Sequence, residues 1–283
     1  MSQTLSPEDH AALVAAVERL TAPTLTAKLS NFVGGGVEFL LDKLPGGSQK
    51  QIQDIVRAAL EKAADGALWS LDHTPTQETS PRLHKLAAGT SGFIGGMFGF
   101  AALAIELPLS TTIMLRSVAD IARSEGFDLG DDRTKQQCLS VLALGGNSAD
   151  DDASDTGYYA LRAFASEAAG VLAKELAQQS ARSGFSATQG TAVKWLAELI
   201  NKIASRFGTV VAQKVAAQAA PVVGGIAGAT LNTMFTDYYQ DVARGHFVVL
   251  RLEKAYGAEA VQRAFKAIEA ASPRGAGRSP KVA

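Results

Sequence analysis

Two long stretches without a charged side chain, residues 86–105 and 215–236, do most to constrain how this chain can fold. Each is long enough to cross a membrane as a helix, since about 20 apolar residues suffice. Both contain glycines four residues apart, which flatten one face of a helix so that a second backbone can approach closely. These glycines are Gly92, Gly95, Gly96, Gly99, Gly224 and Gly228. The stretches therefore indicate either a close-packed helix pair or membrane spans.

The composition of the two stretches favours a buried helix pair. Half of the first stretch is glycine or alanine, and the second contains Gln218, Pro221 and Asn232. Neither is flanked by the lysine and arginine bias or the aromatic residues that fix the orientation of a span. A phosphate loop is disfavoured, because no Lys-Ser/Thr follows the glycines and no strand precedes them. We expect the glycine-rich pair at the centre of the fold, with membrane insertion as the alternative.

Helical periodicity fills most of the remaining sequence. In segment 49–64 apolar residues recur three and four positions apart, with charges on the opposite face. The same pattern returns in segments 155–178, 190–220, 238–257 and 258–271. No segment shows the alternation typical of a strand. The sequence predicts an all-α fold: one domain of about eight to ten helices over residues 1–271, and a disordered tail at 272–283 that lacks apolar residues to bury.

Charge and cysteine content narrow the classes of partner and compartment. The net charge of -1 provides no overall field for nucleic acid or an anionic membrane. Charged residues are only 19% of the chain, below the usual quarter, which fits a surface partly covered by lipid or a partner. The single cysteine, Cys138, excludes an intramolecular disulfide, and the first 20 residues lack a signal-peptide pattern. We expect a cytoplasmic protein, placed peripherally at the inner face of the membrane.

The densest group of candidate site residues follows the first uncharged stretch. Glu106 stands two residues before Pro108, and proline suits the first turn of a helix, so we expect Glu106 at a helix N-terminus. Ser110 follows, and Arg116 and Asp120 are four residues apart on one helix face. The plain interpretation is helix capping and an intrahelical ion pair. The functional interpretation is a charged cluster at the edge of a pocket, with Arg116 within reach of Glu106.

A second group lies in an apolar, aromatic helical segment near the end of the chain. It consists of Asn232, Asp237, Arg244, His246 and Arg251. His246 is a candidate general base, although a single histidine beside an arginine is more often a packed or surface residue. The chain has four histidines and none at paired ligand spacing, so we expect no metal. No nucleophile motif or cofactor-binding motif is found, and we expect no cofactor.

The chain resembles the EcsC family of bacterial proteins. Three ordered blocks carry the resemblance: "GFIGGMFGFAALAIELPLSTTIMLRSVADIARSEG", "LALGGNSADDDASDTGYYALR" and "APVVGGIAGATLNTMFTDYYQDVARGHFVVLRLEKAYG". Together they reach from about residue 90 to 257, the most specific part of the domain.

The resemblance implies little about activity. The founding member of the family is named after an operon that also encodes the two components of an ABC transporter, and hydrolase or peptidase labels have been attached to the family without an assigned activity. No catalytic residue can therefore be transferred to this chain. The matched blocks imply only where a ligand site of the family would lie: Glu106, Ser110, Arg116, Asp120, Tyr158, Tyr159, Arg162, Asn232, Asp237, Arg244 and His246.

These observations favour a protein without catalytic activity. We expect it to bind a lipid or another apolar ligand, or to dock on a membrane or a membrane transport complex, and not to bind nucleic acid. The alternative is a hydrolase whose site joins Glu106, Arg116 or Asp120 to His246. A third interpretation is a structural oligomer built through the glycine faces.

Overall fold

Helices without any strand make up the part of the chain that the computed structural model describes. The described residues are 4–35, 41–64 except 43 and 45, 100–144, 158–162 except 161, 188–218 and 226–272. Eight helices are bounded there: α1 Pro7–Leu20, α2 Leu25–Val33, α3 Ser48–Ala63, α4 Phe100–Ser124, α5 Asp132–Ala143, α6 Thr188–Gln218, α7 Ile226–Tyr256 and α8 Ala258–Ala271. Residues 158–160 are helical as well. The all-α prediction is confirmed.

The helix ends follow from local sequence. Ser6 begins α1 as its N-cap, with its Oγ accepting from the Asp9 amide at 3.1 Å, and Pro7 is the first helical residue. Gly34, with φ of 72°, ends α2 in the left-handed region that glycine adopts without strain. Gly257, with φ of 86° and ψ of 144°, separates α7 from α8 in a different conformation that also favours glycine. Serine and proline at a helix start and glycine at a helix end are typical of these positions.

Helix α4 runs through Pro108, so the prediction that a helix begins there was wrong. Proline inside a helix removes one hydrogen bond to the carbonyl four residues earlier, here that of Ala104. Ala104 is exposed, so water can satisfy that carbonyl. Leu103 and Leu107, which both precede the proline, are buried and hold this part of α4 to the core. Glu106 therefore lies inside α4, away from any free helix N-terminus.

Helix α7 is the centre of the described fold, in contact with α1, α4, α5, α6 and α8. Side-chain hydrogen bonds join Glu106 to Asn232, Ser117 to Gln240 and Glu125 to Arg251, so α4 and α7 run parallel. Helix α6 runs antiparallel to α7. The core between these helices is filled by large apolar side chains, among them Phe207, Tyr239, Phe247 and Phe265.

The predicted glycine-rich pair falls largely outside the described residues. Gly92, Gly95, Gly96, Gly99 and Gly224 are not described, and Gly228 lies in the first turn of α7 without described contacts. Most of the predicted tail, 273–283, is also outside the described part.

A close helix crossing is described elsewhere, between α1 and α7. A Cβ atom on Gly245 would lie 2.6 Å from Leu20 Cγ. Within the described ranges, no helix combines the length and the apolar character needed to cross a membrane.

Candidate functional site

A buried charge cluster lies where α4, α6 and α7 meet. It consists of Glu106, Lys214 and Asn232, which are 5%, 2% and 2% exposed. Lys214 Nζ donates to Glu106 Oε1 at 3.0 Å, and Asn232 Nδ2 donates to the same oxygen at 2.8 Å. The Oδ1 atom of Asn232 accepts a further hydrogen bond from Lys214. One residue from each helix thus completes a closed triangle of polar contacts.

Electrostatics keep the Glu106 carboxylate charged despite its burial. Burial raises the pKa of the carboxyl, but the Lys214 ammonium and the hydrogen bonds from Asn232, Lys214 and Ser110 outweigh it, and the pKa lies below its ordinary value. The Lys214 ammonium also sits 5.3 Å from the centre of the Phe235 ring, a cation–π distance. The cluster is therefore a compensated ion pair, and Glu106 is not poised to donate or accept protons near neutral pH.

A small cavity adjoins the charge cluster. Its polar lining comes from Ser110, Lys214, Asn232 and Thr236, and its apolar lining includes Phe207. The space suffices for about one water molecule, which the polar groups around it could bind. An acyl chain does not fit there.

A second polar group surrounds His246, one of the predicted site residues. His246 Nε2 faces Gln137 Oε1 at 2.8 Å, and His246 Nδ1 faces the Tyr158 hydroxyl at 2.9 Å. The Gln137 oxygen can only accept, so Nε2 carries the hydrogen and Nδ1 accepts from the Tyr158 hydroxyl. Both ring nitrogens are thereby occupied within the protein.

His246 is a packed, neutral histidine. Its side chain is fully buried, and burial, together with the Arg162 charge, lowers the pKa of the imidazole to about 3. Burial also raises the pKa of the Tyr158 hydroxyl, which stays protonated and keeps donating to the ring. A general base needs a free nitrogen within reach of substrate, and His246 offers none in the described structure.

Hydrogen bonds from the residues next to Tyr158 hold the segment 158–162 against α7. Arg162 donates through Nη1 and Nη2 to the two carboxylate oxygens of Glu253, at 2.7 and 2.6 Å. Tyr159 donates to Glu253 at 3.4 Å, and the Tyr158 ring stacks on Phe265 of α8 at 5.5 Å. A bidentate, partly buried pair of this kind fixes orientation as well as adding stability.

The remaining predicted site residues occupy separate positions. Asp120 forms its ion pair with Arg123 at 3.0 Å, and the expected pair with Arg116 is absent among the described residues. Asp237 and Arg244 lie half-buried on α7, where Arg244 contacts Asp241 at 3.5 Å. Cys138 is buried, and burial raises the pKa of its thiol, which argues against a reactive cysteine.

Six of the predicted site residues lie in or beside the two polar groups. Glu106 and Asn232 belong to the charge cluster, with Ser110 beside it, whereas Tyr158, Arg162 and His246 belong to the second group. Asn232 and His246 are 14 positions apart on α7, a rise of about 21 Å, so the described fold does not join Glu106 to His246 as the hydrolase interpretation requires. Arg116 does not pair with Glu106 either, because Lys214 fills that place.

Sequence reasoning missed Lys214, Gln137 and Glu253. A signal for Lys214 was present, because it is the only charged residue between Arg206 and Asp237, as Glu106 is between Lys85 and Arg116. Two opposite charges, each alone in an apolar run, are expected to pair when both are buried. No group of metal-binding side chains comes together in the part of the chain that the structure describes.

Comparison with known proteins identifies one family. The model of the EcsC protein family matches residues 2–252 of the chain, from before α1 into the last turns of α7. Neither a curated protein nor a solved structure matches the chain.

Proposed function

The chain belongs to the EcsC protein family, and we propose from its surface that it docks on a lipid membrane through helix α4. In this proposal the protein is not an enzyme, and its ligand is the apolar layer of the membrane. The family match includes the whole of α4.

The observation that carries the proposal is an exposed apolar row on α4. Ile105 is 77% exposed and Leu109, one turn later, is 51% exposed. Ile113 continues the row and is half-buried. In the described part of the chain, Phe32 is the other exposed large apolar side chain, at 38%. The remaining ones are buried or half-buried. The row begins with the last residue of the uncharged stretch 86–105, so 19 uncharged residues precede it.

The size of the row favours a weak, reversible contact. Burying a large aliphatic side chain gives about 1.5–3 kcal/mol, so the exposed fractions of Ile105 and Leu109 correspond to about 2–4 kcal/mol together. Stable anchoring to a membrane takes more than one binding contribution of this size. The row on α4 is therefore suited to a peripheral protein.

Docking at the surface fits the described interior better than an enclosed ligand does. The cavity beside the charge cluster has room for about one water, so it cannot take an acyl chain. The same cluster ties α4 to α6 and α7 directly behind the row. This support holds Ile105 and Leu109 on the outside of the molecule.

Vesicle flotation tests the proposal. We expect the full chain to float with vesicles of phosphatidylcholine and phosphatidylglycerol in equal parts. The double variant Ile105→Gln/Leu109→Gln should bind at least about tenfold more weakly, since the lost burial is worth more than 1.4 kcal/mol. Glutamine is a good helix former, and exposed substitutions change stability little, so the fold is retained.

The matched control is Phe32→Gln, which removes an exposed ring from α2 and should bind as the wild type does. A wild-type chain that stays at the bottom of the gradient with every vesicle overturns the proposal. Equal binding by the double variant and the wild type would show that the membrane contact lies on another surface. Binding of a soluble fatty acid without any vesicle binding would favour an enclosed apolar ligand instead.

A further inference from the structure

Arg116 lies at the end of the apolar row on α4. Ile105, Leu109, Ile113 and Arg116 are spaced by four, four and three residues, which places them along one face of the helix. Arg116 is half-buried, so part of the residue is open to solvent. An apolar row that ends in a cation matches the order of layers in a membrane, where phosphate lies outside the acyl chains.

The guanidinium of Arg116 is not engaged by the described residues. It forms neither a hydrogen bond nor an ion pair with the residues that the structure describes. Asp120, one turn later and the nearest acid along α4, is paired with Arg123 at 3.0 Å. An arginine at the rim of an exposed apolar surface, with its neighbouring acid already paired, is available for an anion from outside.

We propose that Arg116 binds the phosphate group of a membrane lipid while Ile105 and Leu109 enter the acyl region. This inference rests on the proposed docking through α4 and adds the chemistry of the lipid headgroup. The planar guanidinium can donate two parallel hydrogen bonds to phosphate oxygens. The seven residues from Leu109 to Arg116 span about 10 Å of helix, close to the depth to which interfacial helices bury their apolar face. Helix α4 then meets the membrane obliquely, with its N-terminal half deepest.

The charge of the whole chain makes this local contact significant. A net charge of -1 offers no general attraction to an anionic surface, so the electrostatic part of binding falls to individual cations beside the row. One arginine near an anionic membrane surface strengthens binding about fivefold, and salt weakens that contribution.

Flotation of Arg116→Gln on vesicles of different headgroups tests the inference. On equal parts of phosphatidylcholine and phosphatidylglycerol, we expect about fivefold weaker binding than the wild type and a smaller salt dependence. On digalactosyldiacylglycerol vesicles, which lack phosphate, the variant and the wild type should bind equally. Arg263→Gln, which removes an exposed arginine of α8, is the matched control and should bind as the wild type does on both vesicles.

The outcomes separate this inference from the proposed function. Wild-type binding that Arg116→Gln leaves unchanged on phosphatidylglycerol vesicles overturns the role of Arg116 and leaves docking through α4 in place. An equal loss on the phosphate-free vesicles overturns the headgroup assignment. Competition by inorganic phosphate at constant ionic strength would assign Arg116 to free phosphate instead. Absence of wild-type binding to any vesicle overturns both proposals.

Discussion

At the scale of single residues, the described fold depends on a carboxylate and an ammonium that are both removed from water. Glu106 and Lys214 are 108 positions apart in the chain and meet with almost no exposure. Transfer of either charge into the core without its partner is costly, whereas here each charge has the other and Asn232 as hydrogen-bond partners. The two residues therefore act as one unit, and a substitution at one of them is expected to show its effect through the other.

Glu106→Gln should lower the free energy of unfolding by about 3–5 kcal/mol, because it leaves the buried Lys214 ammonium without a counter-charge. The double variant Glu106→Gln/Lys214→Met removes the stranded charge and should recover most of that loss. Urea unfolding of both variants and the wild type measures the difference. A double variant no more stable than the single one would show that Lys214 is not the group that Glu106 compensates.

His246 should make stability depend on pH. Burial lowers the pKa of the folded imidazole to about 3 from its ordinary 6.5. Below pH 6.5 the unfolded chain takes up a proton at this position and the folded chain does not, so the free energy of unfolding falls as the pH falls, and this contribution levels off below about pH 3. The expected slope is about 1.4 kcal/mol per pH unit.

Urea unfolding of the wild type and His246→Gln between pH 7 and about pH 5, above the range in which most carboxylates titrate, measures this slope. The variant should lose less stability over the interval than the wild type. Parallel curves for the two proteins would contradict a neutral, buried His246.

At the scale of helices, two glycines in helix interiors should respond to alanine with opposite signs. A Cβ on Gly245 would meet Leu20 Cγ at 2.6 Å and the Ala16 carbonyl oxygen at 3.1 Å, whereas one on Gly208 would meet only Gln53 Cγ at 3.4 Å. Gly245→Ala should destabilise the α1–α7 crossing by about 1–3 kcal/mol. Gly208→Ala should stabilise α6 by up to about 1 kcal/mol, since alanine is the better helix former.

Thermal unfolding of the two variants distinguishes these effects. The melting temperature should fall for Gly245→Ala and rise for Gly208→Ala. A rise for both would mean that α1 and α7 can move apart at Gly245 without loss.

The sequence predicted helices well where a local signal marks their ends. The segment 258–271 was predicted with the bounds of α8, which Gly257 and Ser272 flank. Pro108 led to the wrong prediction of a helix start. A proline is tolerated inside a helix when the carbonyl that loses its hydrogen bond faces solvent, and the sequence does not show which face of α4 is exposed.

The site was less predictable than the helices. Glu106, Asn232 and His246 stood out as polar residues in apolar runs, and the structure buries all three. Their partners did not follow from spacing, because Lys214 and Gln137 lie on other helices. Contacts between distant segments depend on how the helices pack, which local periodicity does not encode.

At the scale of the whole molecule, the described residues expose little apolar surface compared with the core that they bury. The apolar row on α4 has two well-exposed large side chains, Ile105 and Leu109, and no helix in the described ranges has the length and apolar character of a membrane span. Such a surface should be released from membranes under mild conditions. We expect the protein to be recovered without detergent after a carbonate wash, as measured by fractionation of a cell extract. Retention in the washed membrane pellet would indicate a deeper insertion than α4 provides.

The long separation in sequence between Glu106 and Lys214 has a consequence for how the protein is made. Glu106 leaves the ribosome 108 residues ahead of Lys214, which is about 5–20 s at ordinary elongation rates. Until α6 and α7 have been synthesised, the acid has no cation to accompany it into the core, and water is the only environment that suits its charge. We therefore expect the apolar face of α4 to stay uncovered over this interval, in which the nascent chain should depend most on chaperones.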